Sequence, residues 1–268
     1  MTSDPTPILR FHAAGDWTPG QVQVTRADAG PWRPPAEVAE IIEAAWAEAM
    51  ARPGVHLFDG PMCRMESWSA SPERLELTLS ETTYKRFLGT NLTRPELADR
   101  YGREILANPV GVSPALLTAD GFLMMGRRNA SVAYYPNRMH PFAGALDPAD
   151  ADPFAAVRRE LNEELGLTTA DVPDVRCTGI AEDLSIRQPE LIFLARTART
   201  RGKIEGAVDR TEHSGTWATR AELSSIAEAL AGGSEFTPVA VASLLLYARV
   251  AWGDGAVGEM WRRFAAPI

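Results

Sequence analysis

Hydrophobic and polar positions along this chain change period several times, and each change predicts an element. Residues 1–36 are rich in proline and glycine and hold one alternating run, Gln21-Val22-Gln23-Val24-Thr25, which predicts a strand. Pro34 and Pro35 then introduce apolar positions at helical spacing. Val38, Ile41, Ile42, Ala45 and Ala49, with Trp46 beside them, predict a helix over 36–51 that Pro53-Gly54 ends. Two alternating runs, 64–68 and 75–79, flank Ser71-Pro72 and predict a hairpin. From Val110 onward, runs at 113–118 and 122–126 predict paired strands around Ala119-Asp120-Gly121, where glycine tolerates the positive φ of a tight turn. Val157, Leu161 and Leu165 recur at i, i+4 and i+8 and give a helix an apolar side, with Asp152 as N-cap, Pro153 in first position and Gly166 after the last turn. Strands follow at 175–181, 191–197 and 215–218, with a short helix over 220–230. Thr237-Pro238 opens a final helix to about Ala251 that is apolar on nearly all sides and therefore buried. Mixed strands with flanking helices predict an α/β chain, an α/β/α sandwich around a mixed sheet.

Composition fits this picture and removes several function classes. The chain has 268 residues, enough for one large domain or a domain with a sizeable extension, and its 45% hydrophobic and 23% charged content is that of a folded globular protein. With 35 acidic against 27 basic residues the net charge is -8, which argues against nucleic acid as a partner and requires local cations wherever a phosphate group binds. Cys63 and Cys177 are too few for a disulfide framework and too isolated for a zinc site, so they are expected to be buried. No apolar run reaches the length of a membrane span, and residues 1–17 lack the apolar core of a secretory signal, so no membrane partner and a cytoplasmic location are expected.

The sharpest chemical signal is Arg159-Glu160-Leu161-Asn162-Glu163-Glu164-Leu165-Gly166-Leu167. Glu160, Glu163 and Glu164 stand at i, i+3 and i+4, which places them together on the side of a helix turning every 3.6 residues or so. Like charges at these spacings repel, and a divalent cation such as Mg²⁺ (or Mn²⁺), which favours clustered carboxylate oxygens, removes the penalty. Arg159 and Glu163 also form an ordinary i,i+4 ion pair. Arg127-Arg128 follow directly on the second strand of the 113–126 pair; one of them is a candidate phosphate clamp, and strand alternation allows only one to point inward.

The stretch from Phe142 to Leu167 resembles the signature of the Nudix hydrolases. The helical half matches at Arg159, Glu160, Leu161, Glu163, Glu164, Gly166 and Leu167. The loop half departs from it: Gly144 lies one residue too far from Arg159, and the glutamate expected between them is absent, with Asp150 and Asp152 nearby. Further blocks, 83–91, 108–112, 118–123, 57–61 and 245–250, are similar in order and spacing to the UDP-glucose diphosphatase branch of that family. The resemblance implies a Nudix domain over 109–268 preceded by an N-terminal α+β extension, residues 1–108, that packs on the core.

For the site, the resemblance implies that Glu160, Glu163 and Glu164 hold the cation together with the Ala143 carbonyl, and that Arg159 fixes a glutamate carboxylate. The general base is implied to be a helix glutamate or one on a later loop, where Glu212, beside His213, is the candidate; Tyr84 and Phe87 are candidates for stacking on a base. The implied reaction is metal-dependent cleavage of a nucleotide-sugar diphosphate, UDP-glucose or UDP-galactose, to UMP and a sugar 1-phosphate. Two alternatives stand beside it: hydrolysis of ADP-ribose or another nucleoside diphosphate derivative, and a catalytically weak sensor of nucleotides. Oligomeric state is not readable from the sequence.

Overall fold

The computed structural model describes residues 7–266 except 29, 53, 55, 56, 133, 233 and 234. In chain order the elements are β1 (Leu9–Trp17), β2 (Val22–Arg26), α1 (Ala36–Met50), β3 (Pro61–Ala70), β4 (Leu75–Thr83), α2 (Tyr84–Phe87), α3 (Leu97–Tyr101), β5 (Gly111–Leu117), β6 (Phe122–Arg128), β7 (Met139–His140) and β8 (Gly144–Ala145). After these come α4 (Pro153–Leu165), β9 (Asp174–Asp183), β10 (Gln188–Arg196), α5 (Arg201–Glu205), β11 (His213–Arg220), α6 (Leu223–Ala231), α7 (Pro238–Trp252), α8 (Asp254–Phe264) and β12 (Ala265–Ala266). The main sheet runs β11-β6-β5-β10-β9-β1-β12, with β7 on β6 and β8 on β5; β5 and β10 are parallel, most other pairs antiparallel. One face packs on α4 through Val112, Leu116, Val157, Leu161 and Leu165; the other packs on α7 through Ala115, Ile192, Leu194, Leu244 and Leu245. This is an α/β/α sandwich. Cys63 and Cys177 are both buried and unpaired. Among the described residues, no helix is long and apolar enough to cross a membrane.

Two elements depart from the sequence reading. The proline- and glycine-rich start contains β1, which pairs antiparallel with β9 and buries Leu9, Phe11, Ala13 and Trp17. Its alternation Leu9-Phe11-Ala13 is short and runs into Gly15-Asp16, and its partner is more than a hundred residues away. Nor is α7 the last helix: the chain turns at Gly253 and continues as amphipathic α8, which buries Val257 and Phe264 and stacks Trp261 on Phe11. The helix-ending pair Pro53-Gly54 is described only at Gly54; Pro53 lies outside the described residues.

A second sheet, β2-β4-β3, sets the frame of the site. Cys63 of β3 donates its amide to the Leu146 carbonyl and accepts from Val110, both at 2.8 Å, so the strand grips the segments just before β5 and just after β8. Asn91, fully buried, donates to the Ile186 and Arg187 carbonyls, each at 3.1 Å, and accepts from the Asn108 amide at 3.0 Å. One side chain therefore ties the 83–91 block to the turn between β9 and β10 and to the entry of β5.

Candidate functional site

The carboxylate helix is set by its own sequence. Asp152 accepts from the Ala155 amide at 2.8 Å, Pro153 fills the first turn, and Gly166 leaves α4 left-handed at φ 64°. Burial of Val157, Leu161 and Leu165 fixes the rotation of the helix and divides the three glutamates. Glu160 and Glu164, one turn apart, point inward with side chains 12% and 5% exposed, while Glu163 remains 57% exposed.

Arg159 organises the solvent side. It grips both oxygens of Asp150 at 3.0 Å and donates to Glu160 at 2.7 Å, to Glu163 at 3.2 Å and to the Ala145 carbonyl at 3.0 Å. Asp150 thus stands where the loop glutamate was missed, as a bidentate anchor between loop and helix. The Glu160 carboxylate lies against Gly144, where a Cβ would come within 2.1 Å of its oxygen. A side chain at position 144 would displace the Glu160 carboxylate, which is a spatial reason for the glycine.

Glu164 is enclosed by a second segment. The Asp209 amide donates to the backbone carbonyl of Glu164 at 2.8 Å. Asn129, just past β6, donates its side-chain amide to the Arg210 and Thr211 carbonyls at 3.1 and 2.7 Å and its own amide to the Glu212 carbonyl at 2.9 Å. This brings exposed Glu212 and buried His213 to the helix, and Nε2 of His213 contacts the Glu164 carboxylate. Among the described residues, Glu164, Glu212 and His213 each place a ligand atom within 4.8 Å of the others. At Ala143 the contact with Glu164 is made by the backbone amide.

Of the two arginines, Arg127 donates to the Asn137 carbonyl at 2.9 Å and pairs with Glu235 at 3.6 Å, on the outer side. Arg128 points inward. Its guanidinium lies 4.7 Å over the Tyr134 ring, its Nε is buried without a hydrogen-bond partner among the described residues, and its charge is felt at Glu164 and His213. Phe87 is fully buried and meets Tyr84 and Tyr134 edge-on, with ring centroids 6.2 and 6.4 Å apart; Tyr84 is half-buried. Sequence reasoning missed Tyr134 and His213, and it missed buried Glu190, which lies over Gly111 and accepts from Ser113 at 3.1 Å. None of these sits in a periodic motif; long-range pairing alone brings them together.

Electrostatics supports a cation here. Burial pushes Glu160 up to about 7 against the pull of Arg159, and burial together with the charge of Glu212 pushes Glu164 up to about 9. Carboxylates that hold protons at neutral pH are stabilised when a divalent cation takes the protons' place, and an oxygen-rich donor set suits a hard cation. These residues fit a metal. A pH dependence follows. Between about 4.5 and 9 the metal-free folded state binds protons that the unfolded chain has released, so stability falls as pH rises through this window. The melting temperature in EDTA is expected to drop from pH 5.5 to 8.5, less so in Glu164→Gln, with added Mg²⁺ restoring the wild type most at high pH. Parallel melting curves of wild type and variant across that range would contradict this.

Comparison with known proteins identifies the family. The NUDIX domain model matches residues 107–239. The uridine diphosphate glucose pyrophosphatase NUDT22 of Homo sapiens is 30% identical over 232 residues, 75% of this chain and 72% of that protein. Its Mus musculus counterpart is 35% identical over 153 residues, 53% of this chain and 49% of that one. Among solved structures, DR0079 from Deinococcus radiodurans is similar with a TM-score of 0.40 and 18% identity, covering 51% of this chain and 80% of that one.

Proposed function

The chain belongs to the Nudix hydrolase family, and from that premise we propose that it cleaves the diphosphate of a nucleotide sugar, UDP-glucose or UDP-galactose, to UMP and a sugar 1-phosphate. The observation that carries this reading is the buried pair Glu160 and Glu164, with the guanidinium of Arg128, whose charge is felt at Glu164 and which has no carboxylate partner among the described residues. A diphosphate needs both: carboxylates to hold divalent cations and a free guanidinium to accept phosphate oxygens.

Glu160 and Glu164, with the more exposed Glu163 and the Ala143 carbonyl, would hold Mg²⁺ or Mn²⁺. When bound, the cation neutralises the diphosphate and makes an attacking water more acidic. Arg128 donates to phosphate oxygens and orients the group. Glu212, exposed to solvent, takes the proton of the attacking water as its oxygen bonds to phosphorus and the bond from that phosphorus to the bridging oxygen breaks. Arg159 holds Glu160, Glu163 and Asp150 in place. Tyr134 and Tyr84 offer ring surface for a base, and Phe87 braces both from behind. Residues 1–108 supply Tyr84 and Phe87, which meet Tyr134 of the core edge-on through Phe87. A binding-only sensor would have no use for the buried carboxylate pair.

A panel of UDP-glucose, UDP-galactose and ADP-ribose with Mg²⁺ and with Mn²⁺, products identified by mass, tests the substrate. The UDP-sugars are expected to be turned over most efficiently; preferential cleavage of ADP-ribose would move the assignment. Arg128→Ala is expected to reduce kcat/KM by about ten- to a hundredfold, the loss of charge-assisted hydrogen bonds, with Arg127→Ala near wild type. A larger loss at Arg127 would reverse the assignment of the two arginines.

A further inference from the structure

His213 lies outside every motif of the family signature, yet it is one of the most enclosed polar side chains of the site, 3% exposed. A register shift between His213 and Gly215 against β6 turns it toward α4, as bulges commonly re-aim a side chain. Its ring stands edge-on to Phe142, with centroids 5.2 Å apart, and rests over Gly126, where a Cβ would lie 2.2 Å from Nδ1. Nδ1 is buried and has no hydrogen-bond partner among the described residues; Nε2 contacts the Glu164 carboxylate.

This geometry selects a tautomer. A proton on Nδ1 would be a buried donor with no acceptor, which costs more than a lone pair left unused; a proton on Nε2 meets Glu164. Glu164 then accepts from Nε2 and from the Ala143 amide, two donors that fix the rotation of its carboxylate. We propose that His213 is a positioning residue that orients Glu164 for a divalent cation through Nε2, and that Gly126 supplies the space its ring needs. The inference rests on the reading of Glu164 as a cation ligand. His213 itself stays outside the coordination sphere.

The test is Mn²⁺ binding to the full chain, followed by electron paramagnetic resonance in wild type, His213→Phe, His213→Gln, Gly126→Ala and Glu164→Gln. His213→Phe keeps a ring beside Phe142 and removes the donor; Gly126→Ala displaces the ring and leaves both partners in the sequence. Each is expected to weaken Mn²⁺ binding by about 10- to 100-fold, the usual loss when an outer partner of a ligand is removed. His213→Gln, whose amide reaches the place of Nε2, is expected to recover most of the affinity. Electron spin echo modulation of wild-type Mn²⁺ is expected to show no coupling to a directly bound ¹⁴N. Unchanged affinity in folded His213→Phe, or a directly coordinated ¹⁴N, would overturn the proposal. If His213→Phe does not fold, equal affinities of Gly126→Ala, His213→Gln and wild type would do so. Loss of Mn²⁺ in Glu164→Gln with none in His213→Phe would remove the role of His213 alone, whereas a wild type that binds no Mn²⁺ would remove the cation reading with it.

Discussion

Glu164→Gln and Glu160→Gln are each expected to lower kcat by on the order of a thousandfold with the fold intact, because a metal-held diphosphate draws several kcal/mol of charge stabilisation and each 1.4 kcal/mol is about a factor of ten. Glutamine keeps the shape of the side chain and loses the charge. At Glu164 the substitution also removes a buried carboxylate whose ionisation burial opposes, so the metal-free variant is expected to melt no lower than wild type at pH 8. Glu163→Gln is expected to lose less, since that side chain is more than half exposed and its contact is the i,i+4 pair with Arg159. Steady-state kinetics with saturating Mg²⁺, alongside thermal melts, checks both. Near-wild-type kcat in the Glu160 and Glu164 variants would take these residues out of the mechanism.

Removing residues 1–109 is expected to abolish folding of the remainder. β1 is a strand of the main sheet between β9 and β12, and its Leu9, Phe11 and Trp17 are almost completely buried. Each large apolar side chain contributes roughly 1.5–3 kcal/mol, so this strand alone supplies on the order of 5–10 kcal/mol, comparable to the whole stability of about 5–15 kcal/mol typical of a domain. Leu75, Leu77, Leu79, Cys63 and Met65 of the small sheet add to the same core as α4, and β3 holds the segments flanking β5 and β8. Fragment 110–268 should therefore be insoluble or lack a cooperative melt. A soluble, folded fragment with unchanged kcat/KM for UDP-glucose would show that the extension is an accessory.

These two expectations differ in how far the sequence foresaw them. α4 is legible because its information is local: the cap at Asp152, Pro153, Gly166 and the apolar positions 157, 161 and 165 all lie within fifteen residues. The β3–β4 hairpin and α7 are legible for the same reason. β1 is not, because three alternating apolar residues acquire meaning only beside β9. In the site, the helix glutamates were readable, but which of them turn inward depends on the rotation that core packing imposes on α4. Arg127 and Arg128 are equivalent in sequence and differ only through the register of β6 against β11 and β7. The loop half of the signature looked broken because its glutamate is missing; Asp150 makes the anchoring contact with Arg159, a pairing that spacing alone does not reveal.

Hydrolysis of UDP-glucose by the full chain in ¹⁸O-labelled water, with Mg²⁺ and products resolved by mass, tests the central claim most directly. Attack on phosphorus at the Glu160–Glu164 site places a single ¹⁸O in a phosphate group of UMP or of glucose 1-phosphate and none in free sugar, and Glu164→Gln slows formation of that product by about a thousandfold. Label appearing only in free glucose, or labelled phosphate formed equally fast by Glu164→Gln, would contradict it.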